Sequence, residues 1–276
     1  MTVDAHNHLD LCAAPEALLD EAAAAGLDGM VVAGVRPAGA AAQRALCEGR
    51  PGMAWTLGLH PAHAGDTGPA AAALERAALE AAVAQGPAGI GEIGLDRRFS
   101  DPDRVEAQRA ALRRGLALAQ ERGLPIVLHV VGAHAEVLEQ LRGARWRGMV
   151  HAFGGSAEEA ERYLRLGLHL SFGGALTWGP SRRRERALAA VPAERLLIET
   201  DAPDQIPAPW RGQVDAGRPA MWTAIAAAAA AQRGEDPAAL GAQVGANARA
   251  LFSLGRGLHP AAGGAARAPD PGPRAR

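Results

Sequence analysis

The sequence predicts an α/β protein in which eight strand–helix units form one (β/α)8 TIM barrel. Short apolar runs alternate along the 276-residue chain with helical stretches rich in Ala, Leu, Arg and Glu. Units of this kind that fill a chain of this length are typical of a barrel. A doubly wound open sheet is the alternative, but the Gly-rich turn that usually follows its first strand is absent.

The predicted strands are short apolar runs bounded by turn or helix-start residues. In chain order they are Val3–His8, Gly29–Ala33, Ala54–Leu59, Ala88–Ile93, Ile126–Val130, Gly148–His151, His169–Phe172 and Leu196–Glu199. Each is followed by a helical stretch, and several of these begin with Pro or follow Ser or Asp. The helices are predicted near Pro15–Ala25, Ala38–Glu48, Pro69–Ala84, Asp103–Arg122, Ala133–Arg142, Ser156–Leu166, Arg182–Ala190 and Pro219–Arg233.

The end of the chain departs from this alternation. Pro237–Phe252 predicts an extra C-terminal helix that closes the fold. From His259 onward the Ala/Gly/Pro/Arg-rich sequence lacks apolar periodicity, which predicts a disordered tail. We therefore expect one domain over residues 1–258 and a tail over residues 259–276.

Composition excludes several classes of function. With a net charge of −1, the protein has no strong overall electric field that would attract it to nucleic acid or to an anionic membrane. All 29 basic residues are arginine, so a Schiff-base lysine, a phosphate-loop lysine and a carboxylated-lysine metal bridge are excluded. Cys12 and Cys47 form no CxxC pair and are expected as reduced thiols. With no apolar run long enough to span a bilayer and no signal-peptide pattern, we expect a cytoplasmic protein without an obligate protein partner.

Polar side chains stand where five of the predicted strands end. His6 and His8 project from the same side of the first strand, because residues i and i+2 share a face. The others, at the ends of strands 4, 5 and 6 and after strand 8, are Glu92, His129, His151 and Asp201. We expect these side chains to meet at one mouth of the barrel. Any one of them could be a hydrogen-bonded core residue, but together they indicate a metal centre, in which Glu92 could bridge two ions.

Five motifs in a fixed order make the chain similar to the TatD family of metal-dependent hydrolases. They are Asp4-Ala5-His6-Asn7-His8-Leu9, Gly58-Leu59-His60-Pro61, Gly91-Glu92-Ile93-Gly94-Leu95-Asp96, His151-Ala152-Phe153-Gly154-Gly155 and Glu199-Thr200-Asp201-Ala202-Pro203. The resemblance covers residues 1–255 and ends with Asn247-Ala248-Arg249-Ala250-Leu251-Phe252. It implies an amidohydrolase-like barrel, two or sometimes three divalent ions, and hydrolysis of phosphodiesters such as DNA.

The resemblance also implies the role of each ligand. It implies that His6, His8 and Asp201 bind one ion and that Glu92 bridges it to a second. The ligands of the second ion are then His129 and His151. The absence of lysine is consistent with a bridge by Glu92, since related amidohydrolases bridge their ions with a carboxylated lysine, which this chain cannot form. We expect two divalent ions, Zn²⁺, Mg²⁺ or Mn²⁺, and DNA or another phosphodiester as the substrate.

Two segments depart from the family pattern, and both bear on the substrate. Many members carry an arginine two residues after the strand-5 histidine, where this chain has Val131. The segment from Asp201 to Pro219 also lacks the usual Asn-Glu-Pro sequence. These departures leave the predicted metal ligands in place.

Asp201 is predicted as the general base that orients the attacking water, with Glu92 beside it; the alternative for Asp201 is a role as ligand alone. His60 and His134 are predicted to contact or protonate the substrate, unless they are loop histidines. Asp4 could orient a ligand or be a buried structural carboxylate.

Arginines and tryptophans in the last loops suggest contacts with nucleic acid. Arg182, Arg183 and Arg184 open the helix after strand 7, where guanidinium groups and helix N-terminal amides suit phosphate. Trp178 and the pair Trp210-Arg211 lie in neighbouring loops, where an indole could stack on a base. The alternatives are a solvated helix face and loop packing.

Three functions therefore stand open. The first is a phosphodiesterase that trims single-stranded DNA ends. The second is a binuclear metal hydrolase of an ester, a lactone or a small phosphoester. The third is a barrel that binds metal without catalysis.

Overall fold

The computed structural model describes residues 2–65 and 69–260, with the side chains of residues 69–75 excepted. Within these residues, strands and helices alternate as the apolar periodicity predicts. The strands are β1 (Val3–Asn7), β2 (Gly29–Val32), β3 (Met53–Leu57), β4 (Gly89–Asp96), β5 (Ile126–Val131), β6 (Gly148–Val150), β7 (His169–Phe172) and β8 (Leu196–Ile198). The helices are α1 (Pro15–Ala24), α2 (Ala40–Cys47), α3 (Pro69–Val83), α4 (Pro102–Arg122), α5 (His134–Gln140), α6 (Ala157–Arg165), α7 (Arg182–Ala189), α8 (Trp222–Arg233) and α9 (Pro237–Phe252).

The eight strands form one parallel sheet in sequential order, β1 to β8. The sheet closes just beyond β8: the backbone N–H of Asp201 donates to the carbonyl of His6 at 3.0 Å, and that of His8 donates to the carbonyl of Ala202 at 2.7 Å. The predicted (β/α)8 barrel is therefore confirmed, and the open-sheet alternative is wrong.

The extra helix α9 covers the end of the barrel where the strands begin. Leu251 and Phe252 of this helix pack in one buried cluster with residues from the starts of several strands, among them Val3 and Val127. Arg249 of the same helix pairs with Asp28, which precedes β2. This end is closed by apolar packing, so the opposite end is left for chemistry.

Strand β4 is longer than predicted. The sequence places Glu92 at the end of this strand, but β4 continues to Asp96, so that prediction is wrong. A Cβ at Gly94 would lie 1.8 Å from the carbonyl oxygen of His129, so glycine is needed for β4 and β5 to pair here. The extension places Asp96, like Glu92, near the mouth of the barrel.

Local signals set the helix boundaries that surround the site. Asp101 caps α4 by accepting the N–H of Asp103 at 3.0 Å, and Gly123 ends the helix with a φ of 64°. Ser156 and Glu159 form a capping box at the start of α6.

Among the described helices, none is both long and apolar enough to cross a membrane. From residue 261 onward, the predicted tail lies outside the described residues. Its disorder and the extent of the domain therefore stay predictions.

Candidate metal centre and active site

The structure brings the six predicted ligands together at the carboxyl ends of the strands. His6 lies in β1, His8 directly follows it, and all six side chains are buried; the others are Glu92 in β4, His129 in β5, His151 after β6 and Asp201 after β8. All but His6 line an open cavity of 630 Å³. The six predicted residues therefore lie close together, even though β4 extends past Glu92, and their role as metal ligands stays a prediction.

The carboxylate of Glu92 lies at the centre of the group, and its two oxygens face different histidines. Oε1 is 3.3 Å from Nε2 of His6 and 3.1 Å from Nε2 of His8. Oε2 is 2.8 Å from Nε2 of His151 and 3.2 Å from Nδ1 of His129. One carboxylate therefore joins two separate sets of nitrogen donors, as a bridging ligand would.

Asp201 completes the first set. Its Oδ1 lies 3.5 Å from Nε2 of His6 and 3.4 Å from Nε2 of His8. Its Oδ2 accepts a hydrogen bond from the side-chain amide of Gln205 at 2.7 Å. Two imidazole nitrogens and two carboxylate oxygens thus converge, which is a donor set that suits a tetrahedral Zn²⁺ ion.

The second set has a further histidine beside it. Nδ1 of His129 and Nε2 of His151 are 2.9 Å apart. Nε2 of His60 lies 3.1 Å from His129 Nδ1 and 3.7 Å from Glu92 Oε2. Nδ1 of His60 accepts the backbone N–H of Ala62 at 3.0 Å, so the hydrogen of the neutral ring is on Nε2 and points toward the centre.

Several buried atoms of the site have no hydrogen-bond partner among the described residues. These atoms include Nε2 of His6 and Oε1 of Glu92, which face each other. Donor atoms of His6, His8 and Glu92 all lie within 4.8 Å of one another, as do those of His60, Glu92 and His129. Buried polar groups without partners are costly, and a cation between them would satisfy them. The residues therefore fit metal binding.

The far sides of the histidine rings are held by acceptors. Nδ1 of His8 donates to the carbonyl of Ala33 at 2.9 Å, and Nε2 of His129 lies 3.0 Å from Oδ2 of Asp96. Nδ1 of His151 is 3.4 Å from Oε1 of Glu199. Such contacts orient an imidazole and fix which nitrogen carries the hydrogen, which leaves the other nitrogen for a metal.

Mutual attraction within the site controls its protonation. Burial disfavours the charged forms of Glu92 and Asp201, but the surrounding histidines outweigh it and hold both pKa values well below their usual range. Burial likewise opposes protonation of His8 and His151, yet Glu92 raises the pKa of each well above the usual value. Burial lowers the pKa of His60 to about 3, so this ring is neutral.

Asp4 serves the closure of the barrel. Its side chain is fully buried, and it accepts hydrogen bonds from the backbone N–H of Thr200 at 2.9 Å and from the Thr200 hydroxyl at 2.5 Å. It also accepts from the side-chain amide of Asn7 at 3.2 Å. Its side-chain contacts are therefore structural: they fix the residue that precedes Asp201.

The residues predicted for substrate binding fall into three groups. Trp178 lines the main cavity and is 42% exposed. The guanidinium of Arg211 lies over its ring, 4.7 Å from the ring centre. Arg183 and Arg184 line a smaller cavity of 160 Å³ that shares Ala152, Ala175 and Gln205 with the main one. Arg182 lines neither of these two cavities.

His134 is not brought to the cavity. It starts helix α5, and its ring is buried against Phe153, with centroids 5.4 Å apart. Its Nδ1 lies 3.2 Å from the hydroxyl of Tyr163. Its contacts thus join α5 to α6 beneath the surface, whereas His60 lies in the cavity wall.

Four residues of the site have no role predicted from the sequence: Asp96, Arg98, Glu199 and Gln205. Asp96 and Glu199 stand inside the motifs quoted above, each an even number of residues from a predicted ligand, which is the spacing of side chains on one face of a strand. That spacing is a signal that could have found them. Arg98 and Gln205 follow the strand ends and carry no such signal.

Comparisons with known proteins match most of this chain. A model of the TatD related DNase family matches residues 3–253. A protein of Erwinia billingiae named 3'-5' ssDNA/RNA exonuclease TatD is 37% identical over 245 residues, which cover 83% of this chain and 89% of the relative. An Escherichia coli protein named uncharacterized metal-dependent hydrolase YjjV is 34% identical over 207 residues, which cover 73% and 79%.

The solved structure of Escherichia coli YjjV, described as a TatD homologue, is similar to this chain with a TM-score of 0.82 at 30% identity. The match covers 92% of this chain and 98% of the solved one. The likeness thus spans the barrel, and the positions of all six predicted ligands lie within the residues that the family model matches. This chain belongs to the TatD family of metal-dependent hydrolases.

Proposed function

We propose that this protein is a phosphodiesterase with two divalent ions that removes nucleotides from the ends of single-stranded nucleic acid. One observation carries the proposal: the two oxygens of the buried Glu92 carboxylate face two separate pairs of histidine nitrogens. A carboxylate between two such sets is the ligand arrangement of two-metal hydrolytic sites, which suit displacement at phosphorus.

The proposed ligands follow from the distances. His6, His8 and Oδ1 of Asp201 would hold one ion with Glu92 Oε1, and His129 and His151 would hold the other with Glu92 Oε2. The mixed nitrogen and oxygen donors suit Zn²⁺, Mn²⁺ or Mg²⁺. When bound, two divalent ions supply a water acidic enough to attack at neutral pH and positive charge for a phosphoryl oxygen.

The protein's own groups orient the reaction. Gln205 donates a hydrogen bond to Asp201 and so fixes its carboxylate, which orients the attacking water and accepts its proton. The low pKa of Asp201 keeps it ionised for this role. His60 is neutral and directs its Nε2 hydrogen at the centre, where it can donate to a substrate oxygen.

The substrate class is proposed from the rim of the cavity and from the relatives. Trp178 offers a partly exposed indole beside the metal centre, stacked with Arg211, and such a surface suits a splayed base. Arg183 and Arg184 line the neighbouring cavity and offer cationic hydrogen bonds to phosphate, and Arg182 precedes them on α7. Relatives over most of this chain are named 3'-5' ssDNA/RNA exonucleases, which favours DNA or RNA ends.

The test uses metal-reconstituted protein and single strands labelled at the 3′ or the 5′ end. We expect the 3′ label to be released first, whereas Glu92→Ala and Asp201→Asn should each lose at least about a hundredfold in rate, since even groups that only support a ligand cost 10- to 100-fold. Glu16→Ala, a change on the exposed side of α1, controls for purification and should keep the wild-type rate.

Two results would contradict the proposal. Cleavage that persists equally in both variants would point to a contaminating nuclease. Faster hydrolysis of an uncharged ester or lactone, with no cleavage of nucleic acid, would assign the centre to another bond. The cytoplasmic location and the absence of an obligate protein partner stay predictions.

A further inference from the structure

We propose that Arg98 is a phosphate-binding residue of the cavity, held in place by Asp96. It would contact a non-bridging oxygen of a substrate phosphate beside the metal centre. The identity of that phosphate as part of a nucleic acid rests on the function proposed above. The contact itself does not, because any phosphate ester in the cavity would meet the same guanidinium.

Charge in the cavity supports this assignment. Of the residues that line it, Arg98 is the one with a permanent positive charge, while Glu92, Asp201 and Asp204 are acidic. Among the side chains that line the cavity, Arg98 is therefore the one that attracts an anionic substrate, in addition to any bound metal ions. Val131 also lines the cavity and supplies no charge.

The pairing of β4 with β5 places the segment that carries Arg98 near Val131. Asp96, at the end of β4, is the register partner of Val131, at the end of β5. Arg98 follows Asp96 by two residues, and both Arg98 and Val131 line the cavity. Oδ2 of Asp96 contacts both Nη2 of Arg98 and Nε2 of His129, so the guanidinium stands on the His129 side of the metal centre.

Asp96 fixes the guanidinium before any ligand binds. Nε of Arg98 lies 3.0 Å from each oxygen of Asp96, and Nη2 lies 2.6 Å from Oδ2. The backbone N–H of Arg98 also donates to Oδ1 at 2.9 Å. Asp96 is buried, and it also contacts His129, so it is a rigid support. A cation held in one orientation loses less conformational entropy on binding an anion than a free side chain does.

The outer part of the guanidinium is left for a ligand. The Arg98 side chain is 64% exposed, although Asp96 beneath it is fully buried. Among the described residues, its Nη1 has no hydrogen-bond partner, while Nε and Nη2 are both used. Phosphate oxygens are favoured partners for such a group, because charge-assisted hydrogen bonds are about twice as strong as neutral ones.

The neighbouring Arg97 has the same charge but a different environment. Its guanidinium pairs with Glu136 on α5, and it does not line the cavity. It is therefore a matched control within the same loop: a general effect of charge would appear in both arginines, and a specific contact only in Arg98.

The experiment measures the binding of inorganic phosphate to metal-loaded protein by isothermal titration calorimetry, together with metal affinity. We expect Arg98→Ala to weaken phosphate binding by about tenfold or more, which is the range for a hydrogen bond to a charged group. Arg98→Lys should restore part of the loss, and Arg97→Ala should bind phosphate like the wild type. Metal affinity should be the same in all four proteins.

Four outcomes would overturn the proposal. One is wild-type phosphate affinity in Arg98→Ala, and another is an equal loss in Arg97→Ala. The third is a fall in metal affinity that accounts for the whole effect, since Arg98 would then act only through Asp96 and His129. Absence of phosphate binding by the wild type at millimolar concentration counts against it as well.

A nucleic-acid arm separates this proposal from the proposed function. If single strands are substrates, Arg98→Ala should raise KM and reduce the slope of log KM against log salt by about 0.7, the value for one lost phosphate contact on a single strand. An unchanged slope would refute the contact in a working nuclease. Phosphate binding that depends on Arg98 in a protein that cleaves no nucleic acid would leave this assignment standing and refute the nuclease.

Discussion

Replacing Asp4 by alanine should loosen the closure of the barrel at the point that positions Asp201. The Asp4 carboxylate accepts the backbone N–H of Thr200 at 2.9 Å and the Thr200 hydroxyl at 2.5 Å. These bonds span 196 residues of sequence and join β1 to the segment after β8. The next residue is the proposed ligand and base.

The expected loss of stability follows from the groups left without a partner. A buried donor that loses its acceptor costs about 1–3 kcal/mol, so the two donors on Thr200 and the Asn7 amide together predict about 3–9 kcal/mol. Water that enters the space of the missing carboxylate would reduce this cost, so we expect a loss near 3 kcal/mol in the free energy of unfolding. Metal affinity should fall too, because Asp201 is less well held.

The assay is urea denaturation of the metal-free protein, followed by metal titration. Glu16→Ala is the control, since Glu16 pairs with Arg50 at 2.7 Å but is 67% exposed. An exposed pair of this kind contributes at most about 1 kcal/mol. If Asp4→Ala unfolds within the range of this control, the proposed role of Asp4 in closing the barrel is refuted.

Three further predictions concern separate parts of the molecule. Burial and the nearby Arg195 lower the pKa of His169 from 6.5 to about 4, so the folded protein loses stability as the pH falls from 6.5 to 4, where the unfolded chain binds the proton more readily. In urea denaturation, His169→Gln should lose less of its free energy of unfolding than the wild type on acidification, by about 1 kcal/mol or more at pH 5. Parallel plots of the free energy of unfolding against pH for the two proteins would contradict this. Trp178→Ala should weaken the binding of single-stranded DNA by about tenfold in fluorescence anisotropy, as one lost stacking contact predicts, and wild-type affinity would exclude the indole from the binding surface. Asp96→Asn should lower metal affinity by about 10- to 100-fold in competition with a chelator, because His129 loses its charged support; unchanged affinity would show that Asp96 does not support the metal ligand.

The fold could be predicted because its signals are local. Each strand is a short apolar run followed by a helix with its own start signal, and parallel pairing of such units allows few arrangements. The predicted bounds of β7 and α9 agree with the structure. The meeting of the six side chains could be predicted as well, because residues at the carboxyl ends of barrel strands lie at one mouth; their roles as ligands stay predictions.

The end of β4 could not be read in the same way. Gly94 interrupts the apolar run, and a glycine inside a strand is usually a sign that the strand weakens. Here it allows β4 and β5 to approach closely, which depends on a contact with His129 that lies far away in sequence. Arg98, which follows this extension and lines the cavity, was missed for the same reason.

Side-chain direction was the other limit of prediction. The sequence placed His60 and His134 in loops near the mouth, and nothing local distinguishes them. His60 turns toward His129, whereas His134 turns toward Tyr163 on α6. Which way each ring faces is decided by tertiary neighbours, and those appear only when the helices are packed.

The bridging position of Glu92 is tested most directly by anomalous diffraction from crystals grown with Zn²⁺ or Mn²⁺. Two anomalous peaks are predicted, about 3.5–4 Å apart, as in two-metal hydrolytic sites. One should lie beside His6, His8 and Asp201, the other beside His129 and His151, with one oxygen of Glu92 on each. A single peak, or a second peak that does not contact Glu92, would contradict the two-ion centre.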